Sequence, residues 1–154
     1  MQSAEKITTT IENKIATISF YHPSSNSFPS HQLAQLTETL TALNNNKEVT
    51  LIILKSEGEK AFCAGASFDE LLEIENLENG TKFFSGFANV INAMRTSNKL
   101  IIGRIQGKTV GGGVGLAAAC DYCFATINAS IKLSELAIGI GPFVIEPAVT
   151  RKIG

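Results

Sequence analysis

An α/β fold with mainly parallel strand pairing is predicted by the order of apolar patterns along the 154 residues. Short β-rich runs alternate with stretches of helical periodicity, and the continuous apolar run 51–54 is typical of a strand covered on both faces. Two glycine-bearing segments, 61–67 and 107–116, each follow an apolar run and precede a helical pattern. Turns of this kind leave backbone N–H groups free to meet a ligand.

The first elements are assigned from local signals in chain order. Runs 7–11 and 15–20 are rich in β-branched residues and predict a hairpin, and the prolines and serines of 22–29 predict a loop. Ser30 is predicted to cap a helix that ends near the asparagines 44–46. The apolar face of this helix comprises Leu33, Leu36, Leu40 and Leu43.

The later elements follow in the same way. A short helix is predicted to start at Ser67 or Asp69, and Asn79-Gly80 is predicted to break the chain before a second helix. The apolar stripe of that helix, from Phe83 to Met94, is interpreted as core. The remaining predictions are strands at 100–105, 122–125 and 131–133, and helices at 114–119 and 143–153 with Pro147 in the first turn of the latter.

Composition narrows the class of protein. With 44% hydrophobic and 18% charged residues, the chain is expected to form one domain over 1–154. A net charge of −1 predicts no nucleic-acid or anionic-membrane partner, and no apolar run is long enough to cross a bilayer. Three cysteines and an N-terminus without the apolar core of a secretion signal predict a cytoplasmic protein with reduced thiols.

Two of these cysteines, Cys120 and Cys123, form a C-x-x-C pair. A redox or metal site is one interpretation, although a single pair supplies only half of a zinc site. The neighbours Tyr122 and Phe124 favour the other interpretation, in which the cysteines are small core residues of a buried strand.

The triple glycine could bind a ligand or could serve close packing alone. It is not a dinucleotide fingerprint, because Leu116 stands where the last glycine would be required, and it lacks the Lys-Ser or Lys-Thr ending of a phosphate-binding loop. Gly112 at a helix start and Ala66 in the first segment could instead direct two N–H groups at one oxygen, as in an oxyanion hole. A glycine-rich turn that exists only for packing is the alternative.

An oxyanion hole needs a partner that transfers a proton or attacks a carbonyl. The G-x-S-x-G elbow of serine hydrolases is missing from the sequence, and His22 and His31 are interpreted mainly as surface residues. Glu135 stands among apolar residues after the strand 131–133, which suits a general acid or base. A surface glutamate at a strand end is the alternative.

The motifs together resemble the crotonase, or enoyl-CoA hydratase/isomerase, superfamily. Residues 63–70, C-A-G-A-S-F-D-E, are similar to the C-A-G-A-D-(L/F)-x-E segment of that family. Residues 107–121 are similar to its glycine-rich second signature, and 134–154 to the segment that follows. Pro23 and Asn26-Ser27 resemble an early turn, so the likeness covers the chain from about residue 7.

The resemblance implies a spiral of ββα units, usually assembled as trimers or hexamers, that acts on acyl-CoA thioesters. It implies that the N–H groups of Ala66 and Gly112 hold the thioester oxygen and that Glu135 carries the proton. Coenzyme A enters as part of the substrate, and neither a metal nor another cofactor is implied. Substrate contacts are implied for Ala64, which lies near the adenine in the family, and for Gly65, Gly111, Gly113 and Gly115.

The sequence also departs from the family pattern. A typical hydratase carries a second glutamate at the position of Gly115, and Glu146 is a candidate to replace it or else a first-turn helix residue. The family continues beyond this point into a C-terminal helical region, so the chain is expected to form the N-terminal core only and to expose apolar surface. A module that binds CoA thioesters without catalysis is therefore the second functional hypothesis.

Overall fold

Two sheets and five helices form the computed structural model, which describes residues 4–154. The strands are β1 (Lys6–Glu12), β2 (Ile15–Tyr21), β3 (Leu51–Ser56), β4 (Ala61–Cys63), β5 (Leu100–Ile105), β6 (Lys108–Val110), β7 (Tyr122–Ala125) and β8 (Ser130–Lys132). The helices are α1 (Ser30–Asn45), α2 (Phe68–Leu72), α3 (Leu77–Arg95), α4 (Gly112–Ala119) and α5 (Glu146–Ile153), with a 3₁₀ turn at Glu135–Ile138.

The strand order confirms an α/β fold with mainly parallel pairing. The larger sheet runs β1-β2-β3-β5-β7, and only the hairpin β1–β2 is antiparallel. The smaller sheet, β4-β6-β8, is parallel throughout. Strands β4 and β6 are three residues long and lie inside the two glycine-bearing segments, so no periodicity revealed them. Their pairing brings these segments side by side.

Helices α1 and α3 pack against each other and cover one face of the larger sheet with the leucines of α1 and the predicted stripe of α3. On β3, Ile52 and Leu54 are fully buried, whereas Leu51 and Ile53 are only partly covered. The expected cover on both faces is therefore complete on one face of β3 and partial on the other.

Four local predictions are corrected. Ser30 is the first helical residue of α1 and not its cap, and Asn79-Gly80 lies within α3 because Asn76 accepts a hydrogen bond from the Asn79 N–H and starts the helix earlier. Helix α4 begins at Gly112, two residues before the prediction, and α5 begins at Glu146.

The strand that contains Cys123 is not buried, whereas Cys120 caps the end of α4 and is fully buried. β7 is the edge of the larger sheet, and its Tyr122 and Phe124 are 61% and 63% exposed. Large apolar side chains on β8 and α5, among them Ile131 and Ile153, are also exposed, which confirms the expected apolar surface. Within residues 4–154, no helix is both long and apolar enough to cross a membrane.

Candidate active site

An apolar pocket of about 320 Å³ lies where the two glycine segments meet. Its lining includes three residues with polar side chains, Ser67, Ser134 and Glu135, and six small residues, Ala64, Gly65, Ala66, Gly111, Gly112 and Gly141. Its apolar walls comprise Phe68, Leu71, Phe83, Phe84, Phe87, Ile138, Ile140, Pro142, Val144 and Ile145. Part of the α3 stripe that the sequence assigned to the core therefore faces this pocket.

Ala66 and Phe28 pair in an isolated parallel β-bridge. The Phe28 N–H donates to the Gly65 carbonyl at 2.8 Å, and the Ser67 N–H donates to the Phe28 carbonyl at 2.9 Å. Successive N–H groups of an extended chain point in opposite directions. The Ala66 N–H therefore points away from Phe28, and it has no partner among residues 4–154.

Gly112 is the first residue of α4, so its N–H belongs to the unpaired donors at a helix N-terminus. Gly111 precedes it with φ 52° and ψ −123°, a conformation that a residue with a side chain rarely adopts. The Gly111 N–H is bonded to the Lys132 carbonyl at 3.0 Å, which ties this turn to β8. The turn thus presents Gly112 and the positive end of α4 to the pocket.

The two glycine turns touch each other directly. Gly65 has φ 94°, and a Cβ built on it would lie 3.5 Å from the Gly112 nitrogen and 3.2 Å from the Val110 carbonyl oxygen. A side chain at Gly65 would therefore be strained and would crowd this turn. The two glycine turns therefore lie against each other, and both Ala66 and Gly112 line the pocket.

Glu135 reaches the same pocket from the 3₁₀ turn. A Cβ built on Gly111 would lie 3.4 Å from its Oε1 atom, so the carboxyl lies directly over the glycine turn. Its Oε2 atom is buried and has no hydrogen-bond partner within the part of the chain that the structure describes. A buried polar atom without a partner is costly, so this oxygen is a reason to expect a ligand.

The other predicted site residues divide into two groups. Ala64, Gly65 and Gly111 line the pocket. Gly113 and Gly115 do not: a Cβ on Gly113 would lie 2.6 Å from the Cys63 carbonyl oxygen, and one on Gly115 would lie 2.5 Å from the Cγ2 atom of Ile145. These two glycines permit close packing of α4.

Glu146 does not join the pocket. It is exposed in the first turn of α5, and its Oε1 accepts a hydrogen bond from the Thr150 hydroxyl at 2.7 Å. His22 and His31 also lie outside the pocket, where both contact the Glu5 carboxylate. Among residues 4–154 no three His, Cys, Asp or Glu side chains are grouped to hold a metal ion.

The cysteine pair lies beyond the C-terminal end of α4, away from the pocket. Cys120 is buried and Cys123 is half-buried, and neither forms a disulfide. The neighbouring Cys120 side chain lowers the pKa of Cys123 to about 7; burial opposes this shift, and the nearby Lys152 ammonium supports it. In the neutral pair each thiol donates to a backbone carbonyl of α4, Cys120 to Leu116 at 3.4 Å and Cys123 to Ala117 at 3.2 Å. Burial raises the pKa of Cys63, the remaining thiol, to about 12.

Sequence reasoning missed one contact beside the pocket. The Glu70 carboxylate binds the start of α1 through Ser30, 40 residues earlier. No local pattern connects these two residues, because the contact forms only when α2 folds back onto α1.

Comparison with known proteins identifies the group to which this arrangement belongs. The family model described as enoyl-CoA hydratase/isomerase matches residues 10–154. The chain belongs to the enoyl-CoA hydratase/isomerase family. A short-chain-enoyl-CoA hydratase from Clostridium acetobutylicum is 32% identical over 132 residues, which cover 85% of this chain and 50% of that protein. A mitochondrial methylglutaconyl-CoA hydratase from Mus musculus is 35% identical over 117 residues, or 76% of this chain and 37% of that protein.

Solved structures confirm the crotonase fold. A putative enoyl-CoA hydratase/isomerase (crotonase) from Legionella pneumophila superposes with a TM-score of 0.91 at 30% identity, covering 99% of this chain and 60% of that one. An enoyl-CoA hydratase from Bacillus anthracis gives a TM-score of 0.83 at 30% identity, covering 88% and 53%. The chain therefore spans 50–60% of the length of several members of its family.

Proposed function

We propose that the pocket processes acyl-CoA thioesters by hydratase or isomerase chemistry, through an enolate intermediate. One observation carries the proposal: two unpaired N–H groups, of Ala66 and Gly112, and one unpaired carboxyl oxygen, of Glu135, share an apolar pocket. Family membership supports the same chemistry.

The thioester oxygen would accept hydrogen bonds from Ala66 and Gly112. Negative charge grows on that oxygen as the α-carbon loses a proton, so two fixed donors lower the barrier to the enolate. The apolar walls strengthen this effect because they exclude water from the charge. Loss of one such donor costs about 3 kcal/mol in a comparable site.

Glu135 would move the proton. As a carboxylate it takes the proton from the substrate carbon next to the thioester carbonyl, and as an acid it returns the proton at the γ-carbon of the resulting dienolate, which moves the double bond. In a hydration, the same carboxylate would take a proton from the water whose oxygen adds to the β-carbon, and would then return that proton to the α-carbon of the enolate. Isomerisation needs only one carboxyl group that first accepts and then donates the proton, and Glu135 could fill both roles.

The test uses the purified chain with 2-enoyl-CoA and 3-enoyl-CoA substrates, and follows absorbance of the conjugated thioester. Loss of the 2-enoyl signal reports hydration, and its appearance from the 3-enoyl substrate reports isomerisation. Glu135→Gln should lower turnover about 100- to 10,000-fold, because general acid–base catalysis is worth that much. Glu73→Gln, at an exposed carboxylate at the end of α2, is the matched control. Full activity of Glu135→Gln would refute the assignment of the base.

A non-catalytic module that binds CoA thioesters is the second candidate. It is favoured by the single carboxyl group in the pocket lining and by Gly115, which stands where typical hydratases have a second glutamate. Thioester binding without turnover of either substrate would establish this candidate instead.

We also propose that coenzyme A is bound only as part of the substrate and that the protein works in the cytoplasm. Assembly into trimers or hexamers is proposed from the family resemblance. Sedimentation of the purified chain at several concentrations tests the assembly.

A further inference from the structure

Glu70 forms an unusual contact with the beginning of α1. Its two carboxylate oxygens lie 3.0 and 3.1 Å from the Ser30 nitrogen, and the Ser30 hydroxyl donates to Oε2 at 2.5 Å. The residue before α1 is Pro29, which supplies no side-chain cap, and the first turn of α1 contains no acidic residue. Glu70 therefore provides both the acceptor and the negative charge that a helix N-terminus favours.

This Ser30–Glu70 contact, here called the latch, anchors a helix with little support of its own. Helix α2 has five residues, none of them buried, and such a short helix is unstable in isolation. Two of its side chains, Phe68 and Leu71, nevertheless form one wall of the pocket. The position of that wall must therefore be set by contacts at the ends of α2 and by the latch in its middle.

The segment that contains Ser30 also forms hydrogen bonds on both sides of Ala66. Phe28 binds the chain on both sides of Ala66, and Ser30, two residues later, binds Glu70. Residues 28–30 therefore form hydrogen bonds with residues 65–70 at two points. We expect these hydrogen bonds to set both the direction of the Ala66 N–H and the position of α2.

We propose that Glu70 and Ser30 are positioning residues that hold the α2 wall against the acyl chain of the substrate. This inference rests on the proposed function, because it assumes that the pocket receives an acyl thioester. Phe68 and Leu71 belong to the pocket wall and not to the reacting groups, so the latch acts on acyl carbons beyond the site of proton transfer. A longer acyl chain therefore depends on the latch more than a short one.

The first test compares kcat/KM for eight-carbon and four-carbon 2-enoyl-CoA substrates. Glu70→Ala should lower the ratio of the two values about 10-fold, because charge-assisted hydrogen bonds of this kind are among the stronger ones in proteins. A loss of folded protein reduces both values equally and leaves the ratio unchanged. Glu73→Ala, which removes an exposed carboxylate from the end of α2, should leave the ratio as in the wild type.

Two milder variants test the same contact in case Glu70→Ala does not fold. Ser30→Ala removes only the hydroxyl donor and should lower the ratio by a smaller factor. Glu70→Gln keeps an oxygen that accepts from the Ser30 N–H, so it should recover part of the loss. An unchanged ratio in Glu70→Ala, or an equal fall in Glu73→Ala, would overturn the inference.

A measurement without substrate separates this inference from the proposed function. Hydrogen exchange of the amides of α2 should be about 10-fold faster in Glu70→Ala than in the wild type, while exchange in the centre of α3 stays unchanged. If the wild-type chain turns over no enoyl-CoA, the proposed function fails, and the latch is then judged by this exchange. Unchanged exchange in α2 would show that the latch does not position it.

Discussion

Replacing Gly115 by alanine tests why α4 carries a glycine where a typical hydratase has a glutamate. A Cβ at this position would lie 2.5 Å from Cγ2 of Ile145, 2.9 Å from its Cβ, and 2.9 Å from Cδ1 of Ile91. Both isoleucines are buried, and Ile145 also lines the pocket. The side chain of Ile145 therefore occupies the space into which any side chain at Gly115 would project.

The expected magnitude follows from two opposing effects. Overpacking of a well-filled core costs about 1–3 kcal/mol of unfolding free energy. Alanine in a helix interior is about 1 kcal/mol better than glycine. The Gly115→Ala variant should therefore be about 0–2 kcal/mol less stable than the wild type, and a glutamate, being much larger, should be far more destabilising.

A double-mutant cycle isolates the contact with Ile145. Ile145→Ala should cost about 2–5 kcal/mol in the wild type, but about 1–3 kcal/mol less when Gly115 is already alanine, because it removes the Cγ2 atom responsible for the close approach. Urea unfolding of the four proteins provides the free energies, with equal m-values required for the comparison. Equal costs of Ile145→Ala in the two backgrounds would show that the side chains at positions 115 and 145 do not compete for this space.

The remaining predictions concern residues outside this contact. Glu146→Gln should leave turnover unchanged, because the side chain is exposed and outside the pocket; a loss beyond 10-fold would restore it as the second acid. Alkylation of Cys123 by iodoacetamide should rise with pH and reach half its maximum near pH 7, since the thiolate reacts and its pKa is about 7; Cys120→Ala, which removes the neighbouring thiol, should shift that midpoint upward, and an unchanged midpoint would contradict the stated cause. Asn26→Ala should lower the free energy of unfolding by about 2–4 kcal/mol in a urea titration, because the buried amide makes three hydrogen bonds, and a change below 1 kcal/mol would contradict this.

Much of the fold could be predicted because its signals are local. The hairpin β1–β2, the leucine face of α1 and the strands β3 and β5 follow from periodicity within a few residues. The three-residue strands β4 and β6 could not be found this way, because they exist only by pairing with each other and with β8. The exposure of β7 was likewise missed, since its place at the edge depends on the order of all five strands.

The candidate site shows the same division. The turn chemistry at Gly65 and Gly112 and the isolated acid Glu135 could be predicted, and the structure places all three on one pocket. The contrast between Glu135, which lines that pocket, and Glu146, which does not, could not be read from the sequence. Both are glutamates among apolar residues, and only the path of the chain after β8 separates them.

Local patterns in the residues are enough to predict an α/β chain with two glycine turns that carry spare donors, together with its resemblance to one family. The packing of the elements separates the glycines that face the pocket from those that pack against neighbours, and it brings Glu70 to Ser30. Turns and periodicity depend on backbone sterics over a few neighbouring residues, so they can be recognised in the sequence. Contacts across the pocket depend on how whole elements stack.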